Sequence, residues 1–186
     1  MEAASLRQSV SAGDIAHGQV PMPAGLDLGL LPGLDKNARD LERPSWEKGR
    51  YGTAVGRAVH ATLQTVDLAT GDGLDGAARA QALAEGVVER EEAVVALARA
   101  GFSADVTREA AACPHQKETY VGTVVGGQVV EGVIDLLFTD ADGQLVVVDY
   151  KTDAEPDQAT LEAYQKQLAV YAAALADATG VKVGRR

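Results

Sequence analysis

The sequence predicts one α/β domain in which a central mixed sheet, built around an antiparallel three-strand meander, is flanked by helices. Two observations favour this fold. Three runs rich in β-branched residues, KETYVGTVV, QVVEGVIDLLF and QLVVVDYKT, are separated only by short turn sequences that contain GG and TDADG. Segments with helical periodicity stand before and after these runs. The expected order is helices, three strands, a helix and, in GVKVGRR, the start of a further strand.

The helices are predicted from the spacing of their apolar residues. The segment WEKGRYGTAVGRAVHATLQTV favours an amphipathic helix. An Ala-rich helix, in one piece or two, is expected over 77–100 with Gly101 as its end, followed by a short helix that ends before Pro114. A last helix is predicted over 157–178. The side chains predicted to face inward on these helices are Val55, Val59, Leu63, Val66, Leu83, Val87, Val94, Leu97, Leu161, Tyr164, Leu168, Tyr171 and Leu175.

Composition excludes several classes of protein. The 186 residues are 46% hydrophobic, which is enough for one core, and no apolar run reaches the length of a membrane span. Cys113 is the only cysteine, so an internal disulfide and a four-cysteine zinc or iron–sulfur site are excluded. The net charge of −10 argues against a general nucleic-acid coat but not against an enzyme that acts on nucleic acid. We therefore expect a cytoplasmic protein with no membrane partner.

The N-terminal part of the chain differs in character from the rest. Residues 1–45 contain GQVPMPAGLDLGLLPGLDK, in which glycine and proline interrupt apolar residues of no steady period. We interpret 1–45 as an extended arm or linker. Residues 46–186 are then the folded domain.

Charged residues interrupt two apolar strands of the predicted meander. Asp149 and Lys151 end the strand LVVV on one face, while Asp135 is predicted to share a face of the preceding strand with Val129, Glu131, Val133 and Leu137. A hairpin between the two strands could bring Asp135 beside Asp149. A divalent cation would relieve the repulsion between two such carboxylates, and the lysine favours an anion nearby. The alternative is that Asp149 and Lys151 are solvent-exposed residues at a strand end and that Asp135 is a charge at the sheet edge.

At these positions the chain resembles a known family. A helix carrying G-x-x-x-H, the strand EGVIDLLF, the strand ending DYKT and a helix carrying Y-x-x-Q-x-x-x-Y follow one another in order. Together they resemble the PD-(D/E)XK nuclease superfamily, and in particular the RecB-type nuclease domain of bacterial helicase–nucleases such as RecB and AddA. The resemblance covers about 49–183 and implies a restriction-endonuclease-like core.

The resemblance assigns a role to each matching residue. It implies that Asp135 and Asp149 bind Mg²⁺ or Mn²⁺, that Lys151 is the catalytic lysine and that His60 is an additional metal ligand. Gln167 would lie on the helix that borders the active site, in contact with the DNA backbone or with the lysine. A lone histidine on a helix is otherwise more often a packed or solvated residue.

Three further residues are less firmly assigned. The backbone at a strand end is free to turn inward, so the carbonyl of Tyr150 is a candidate metal ligand. Glu118 matches an acid that often opens the first strand, and an exposed charge at a strand start is the alternative. Tyr171 matches the motif helix, but it also belongs to the apolar stripe, where core packing explains it equally well.

The resemblance implies a Mg²⁺- or Mn²⁺-dependent deoxyribonuclease without an iron–sulfur cluster. Its partner would be single-stranded DNA delivered by a helicase in the same full-length chain or in another subunit. No G-K-T phosphate loop occurs in the sequence, so we expect the nuclease module of a RecB/AddA-like helicase–nuclease that acts in DNA end processing and recombinational repair. The alternatives are a small stand-alone nuclease, a catalytically idle module with a structural or DNA-end-holding role, and an enzyme acting on RNA or another phosphodiester.

Overall fold

The computed structural model of the protein describes residues 9–11, 53–125, 128–152, 157–181 and 183–185. These residues form an α/β fold with a five-stranded mixed sheet flanked by helices, so the predicted fold class is confirmed. The strands are β1 Ser9–Ser11, β2 His115–Val125, β3 Gln128–Thr139, β4 Leu145–Val148 and β5 Val183–Arg185. The helices are α1 Ala54–Thr65, α2 Leu74–Ala84, α3 Glu91–Ser103, α4 Asp105–Ala111 and α5 Gln158–Thr179, with a 3₁₀ turn at Val88–Arg90.

Strands β2, β3 and β4 form the predicted antiparallel meander. β2 pairs with β3 along almost its whole length, from the pair His115 and Phe138 to the pair Val125 and Gln128. β4 pairs with the far end of β3, and β5 adds to β4 in the parallel direction. The sequence GVKVGRR therefore does contain a strand, as predicted. Because Leu136 of β3 pairs with Val148 at the end of β4, Asp135 within β3 is level with Asp149 just after β4.

Part of the predicted N-terminal arm joins the sheet. Ser9–Ser11 pair in parallel with Val129–Glu131 of β3 and form a strand that the sequence did not predict. Three residues are too few to leave an alternation pattern in a sequence. The other residues of 1–45 lie outside the described part of the chain. Within the described residues, none of the helices has both the length and the apolar character needed to cross a membrane.

The helices pack in two layers on opposite faces of the sheet. α1, α2 and α3 share a core of their own, which includes Leu63, Ala78 and Val94. α4 connects this helical layer to the sheet face that presents Leu136, Phe138 and Val146. α5 covers the opposite face over Val130, Ile134 and Val147.

Some details of the helices differ from the sequence prediction. The Ala-rich segment forms two helices, α2 and α3, and α3 continues through Gly101 to Ser103. Gly101 has a packing role there, because a Cβ atom at this position would lie 2.9 Å from Cδ1 of Leu63.

Two leucines predicted to face inward are exposed. Leu83 is 69% exposed, because α2 buries Leu74, Ala78 and Ala82 instead, and the two small alanines let the neighbouring helices approach closely. Leu161 is 41% exposed, because the first turns of α5 bury Thr160 and Ala163 in its place.

The sheet reverses its faces at Glu118 and Asp135, which the alternation rule did not predict. In β3, Ile134 and Leu137 both pack under α5, whereas Leu136 packs under α4. Glu118 has a positive φ of 51°, and it is level with Asp135 because its neighbours on β2 pair with Leu136 and Ile134. Asp135 therefore does not share one continuous face with Val129, Glu131, Val133 and Leu137. The reversal leaves both acids at a distortion between the two helical layers.

Lys117 of β2 links the edge of the sheet to α1 through hydrogen bonds. Its Nζ donates hydrogen bonds to the carbonyl oxygens of Leu63, Gln64 and Val66, at the end of α1. These carbonyls have no partner within the helix, and a cation satisfies them and interacts favourably with the helix dipole. The contact fixes the position of α1, the helix that carries His60.

Candidate active site

Asp135 is the centre of the candidate site. Its side chain is 7% exposed, and its Oδ2 accepts a hydrogen bond of 2.6 Å from the backbone N–H of Tyr150. Its Oδ1 lies 3.1 Å from Nδ1 of His60. Since Tyr150 stands between Asp149 and Lys151, the hydrogen bond from its N–H to Asp135 holds the end of β4 beside the acid of β3. Asp135, Asp149, His60 and Lys151, which the sequence predicts to act together, are therefore neighbours.

The position of His60 depends on the close approach of α1 to the segment after β4. Gly56 lies one helical turn before His60, and a Cβ atom at position 56 would be 3.1 Å from Oγ1 of Thr152. Thr53 caps the helix by accepting the Gly56 N–H at 3.0 Å. The His60 ring is 7% exposed and meets Tyr150 edge-on, with ring centroids 6.2 Å apart. The spacing G-x-x-x-H thus puts the glycine and the histidine on the helix face that approaches the site.

Asp149 and Lys151 form an ion pair between Oδ2 and Nζ. The Asp149 side chain is 7% exposed, and burial raises its pKa from the ordinary value of 3.8 to about 6. The cation of Lys151 lowers this pKa, while the charge of Asp135 raises it. Asp149 is therefore a carboxylate whose ionised form is costly in this site unless a cation accompanies it.

Helix α5 holds Lys151 from the other side. Nζ of Lys151 donates a 3.0 Å hydrogen bond to Oε1 of Gln167, and it lies 4.7 Å from the centre of the Tyr164 ring, within the range of a cation–π contact. Nε2 of Gln167 in turn donates to the hydroxyl of Tyr171 at 2.9 Å. The Lys151 side chain nevertheless remains 31% exposed, so its ammonium is accessible to an anion from solvent.

Tyr171 and Glu118 complete the surroundings of the acids. Tyr171 is 4% exposed, and burial together with the charges of Asp149, Asp135 and Glu118 raises the pKa of its hydroxyl. Glu118, the last of these charges, lies level with Asp135 on the neighbouring strand. The sequence allowed Tyr171 to be either a core residue or a residue of the motif helix near the site. The structure shows both, because Tyr171 packs in the core beneath the sheet and also contacts Gln167.

The residues present fit a divalent cation by their chemistry. Two buried carboxylates offer the oxygen ligands that Mg²⁺ and Mn²⁺ prefer, and an imidazole is adjacent. Among the residues that the structure describes, no three His, Cys, Asp or Glu side chains are grouped as a ready-made metal site. Asp135 and Asp149 are instead satisfied by His60, by the N–H of Tyr150 and by Lys151.

The sequence motifs contain several further residues of the site without indicating the contacts that these residues make. The contacts of Tyr164 with Lys151 and of Thr152 with the Gly56 position depend on how α5 and α1 pack on the sheet. Gly132 stands out for another reason, because a Cβ atom there would collide with the ring of Tyr171. Gly132 and Tyr171 both belong to the quoted motifs, but the sequence does not indicate that they meet.

Comparison with known proteins places these observations in a family. The described residues place a buried pair of acids, followed by a lysine, at the end of a β-hairpin on a mixed sheet flanked by helices. The family model of the PD-(D/E)XK nuclease superfamily matches residues 36–185, and the chain belongs to this superfamily. Its members are typically metal-dependent nucleases. A search of curated proteins returned no match.

Replacement of His60 by glutamine is expected to weaken Mn²⁺ binding by about 10- to 100-fold, the usual loss when a ligand or a group that orients a ligand is changed. The fold should survive, because glutamine fills much of the same space on α1. Isothermal titration calorimetry with Mn²⁺ measures the effect. His115→Gln is the matched control, since His115 is exposed at the start of β2. Equal affinity of His60→Gln and the parent protein would remove His60 from the site.

Proposed function

We propose that the protein is a metal-dependent nuclease that hydrolyses phosphodiester bonds at the end of β4. The observation that carries this proposal is the hydrogen bond from the Tyr150 N–H to Asp135. It brings the acid of one strand to the Asp-Tyr-Lys segment of the next, so that two buried carboxylates and an accessible ammonium group lie together. The membership in the PD-(D/E)XK nuclease superfamily supports the same conclusion.

The carboxylates of Asp135 and Asp149, with His60 and the carbonyl of Tyr150, would hold Mg²⁺ or Mn²⁺. When bound, such an ion polarises the scissile phosphate and makes a coordinated water more acidic. The raised pKa of Asp149 supports this assignment, because a cation would offset the cost of keeping that buried carboxylate ionised. A hydrogen bond donated by the Nδ1–H of His60 to Oδ1 of Asp135 would orient the imidazole.

Lys151 would provide the fixed positive charge of the reaction. Gln167 and the Tyr164 ring hold its ammonium group beside Asp149, so little reorganisation is needed when a phosphate arrives. In this role Lys151 stabilises negative charge that develops on the phosphate oxygens and orients the attacking water. Gln167 positions the lysine, and Glu118, level with Asp135 on β2, would add a third acid near the site.

Single-stranded DNA delivered by a helicase is the proposed substrate, and the chain would be the nuclease module of a RecB/AddA-like helicase–nuclease in DNA end processing and recombinational repair. The combination of G-x-x-x-H, Asp-Tyr-Lys-Thr and Y-x-x-Q-x-x-x-Y supports this subtype. The contacts of His60 with Asp135 and of Gln167 with Lys151 support it further, since they join all these motifs at one point.

The test is to incubate the protein with end-labelled single-stranded DNA, blunt duplex DNA and RNA of the same sequence, with Mg²⁺, Mn²⁺ or a chelator. We expect cleavage of single-stranded DNA with either metal, no cleavage with the chelator, and little cleavage of blunt duplex. Rapid cleavage of blunt duplex would count against a requirement for a helicase. Preferential cleavage of RNA would change the substrate while leaving the reaction unaltered.

The second candidate function is a catalytically idle module that holds DNA ends. The presence of both acids and the lysine disfavours it, because loss of any of the three is what would disable the reaction. Binding of single-stranded DNA by a folded, metal-loaded protein that never cleaves any of the three substrates would establish this alternative.

A further inference from the structure

Helix α5 crosses β3 at a glycine that leaves room for one side chain. A Cβ atom built on Gly132 would lie 2.4 Å from Cε1 and 3.2 Å from the hydroxyl oxygen of Tyr171. Distances below 3.0 Å do not occur for real Cβ atoms, and the ring of a buried tyrosine has little freedom to move aside. Gly132 does not have a positive φ, so the backbone conformation does not require glycine at this position. What the glycine provides is space for Tyr171.

The hydroxyl of Tyr171 orients the side-chain amide of Gln167. It accepts a hydrogen bond of 2.9 Å from Nε2, and residues 167 and 171 are one helical turn apart on α5. With its N–H engaged there, the amide directs Oε1 at Nζ of Lys151, 3.0 Å away. A reversed amide would point its own N–H group at the ammonium, which is repulsive. The position of Tyr171 therefore decides whether the oxygen or the nitrogen of the Gln167 amide contacts Lys151.

We propose that Gly132 is a positioning residue for Lys151, acting through Tyr171 and Gln167 by admitting the tyrosine ring against β3. The inference rests on the proposed function, because it gives this packing contact a part in placing the lysine. The three contacts run from Gly132 to Tyr171, from Tyr171 to Gln167 and from Gln167 to Lys151. None of them is made by a metal-binding carboxylate. A change at Gly132 should therefore act on the rate of cleavage and not on the affinity for metal.

The test compares Gly132→Ala with Gly122→Ala, a matched control on the neighbouring strand. A Cβ atom at Gly122 would come no closer than 3.7 Å to any atom, which is an ordinary contact. We expect Gly132→Ala to lower kcat for single-stranded DNA by about 10- to 100-fold, the size of loss that a small misplacement of a catalytic group causes. The affinity for Mn²⁺ should stay at the parent value. Gly122→Ala should have the kcat and the Mn²⁺ affinity of the parent protein.

A double-mutant cycle identifies the route. Tyr171→Phe keeps the ring and removes the hydroxyl that holds Gln167, so it should also lower kcat without changing Mn²⁺ affinity. Adding Gly132→Ala to Tyr171→Phe should cost little more, because both changes break the same connection. Losses in kcat that multiply in the double variant, or a Gly132→Ala protein with the kcat of the parent, would overturn the inference.

Hydrogen exchange of the Gln167 side-chain amide tests the role of Gly132 without any measurement of cleavage. The side-chain amide signals of Gln167 in NMR spectra should show slow hydrogen exchange in the parent protein and in Gly122→Ala, and fast exchange in Gly132→Ala. Unchanged signals in Gly132→Ala would refute the role of Gly132 whatever the protein cleaves. A parent protein with these signals but without nuclease activity would refute the proposed function alone.

If Gly132→Ala does not fold on its own, a second substitution at Tyr171 provides the test. The variant that combines Gly132→Ala with Tyr171→Leu has no ring to collide with the new methyl group, so it should fold. Recovery of the fold, followed by circular dichroism, would support the packing contact. Failure of this double variant to fold while Tyr171→Leu alone folds would overturn it.

Discussion

Replacement of Lys151 by alanine is expected to reduce cleavage of single-stranded DNA by at least about 10²–10³-fold, the usual cost of removing one electrostatic contact to the transition state. The fold should be retained, because the side chain is 31% exposed and its removal leaves a gap that water can fill. Mn²⁺ should still bind, since the lysine is not a ligand. Single-turnover cleavage, Mn²⁺ titration and circular dichroism measure the three quantities.

Lys166→Ala is the control for this prediction. It removes the same charge from α5, one residue before Gln167, without touching the lysine of the site. We expect it to cleave at close to the parent rate. If Lys151→Ala is folded and cleaves as fast as the parent protein, Asp-Tyr-Lys is a strand ending in charge and the proposed chemistry fails.

Replacement of Asp149 by asparagine is expected to abolish cleavage and metal binding and yet to stabilise the metal-free protein. Burial, opposed by Lys151 and reinforced by Asp135, raises the pKa of this carboxyl to about 6. At pH 8 its ionised form therefore opposes folding, by an amount that a shift of about two pKa units limits to roughly 3 kcal/mol. Asparagine resembles the neutral acid, so a gain of about 1–3 kcal/mol in the free energy of unfolding is expected.

The pH dependence of this gain follows from the sign of the shift. A carboxyl whose pKa is higher in the folded than in the unfolded protein favours folding most fully below the unfolded value of 3.8, and this contribution is lost as the pH rises through about 6. The advantage of Asp149→Asn should thus be largest at pH 8, shrink below pH 6 and vanish near pH 4. Urea unfolding in the presence of a chelator at these pH values measures it.

A surface variant and added metal serve as controls for Asp149→Asn. Asp142→Asn removes the same charge from the exposed turn before β4 and should change stability by less than about 0.5 kcal/mol. Saturating Mn²⁺ should stabilise the parent protein and leave Asp149→Asn unaffected. A variant less stable than the parent at pH 8 without metal would show that Asp149 is a stabilising ion-pair partner, contrary to this account.

The meander and the convergence of the acids were predictable because both follow from local rules. β-Branched runs joined by short turns can only pair as hairpins, and the register of such hairpins brings Asp135 to the level of the end of β4. The match to the G-x-x-x-H pattern drew attention to His60, which no periodicity distinguishes from an ordinary packed histidine. Its contact with Asp135 spans 75 residues of sequence and needs the fold.

The reversal of the sheet at Glu118 could not be predicted, because it breaks the alternation from which the faces are inferred. A positive φ at a glutamate is unfavourable locally and persists only where the surroundings impose it. The exposure of Leu83 has a similar origin. Which side of α2 is buried depends on how closely α1 and α3 pack against it, and they pack against its alanines. Tertiary packing decides both features, and a single sequence does not contain their signal.

The central claim is that Asp135 and Asp149 form a metal-binding nuclease site at the end of β4. The most direct measurement is the position of Mn²⁺, located by its anomalous scattering in a crystal grown or soaked with that ion. We expect one peak within about 2.0–2.3 Å of a carboxylate oxygen of both Asp135 and Asp149, with His60 as a further ligand. Mn²⁺ bound elsewhere, with Asp149 still paired to Lys151 at a saturating concentration of the ion, would contradict the account.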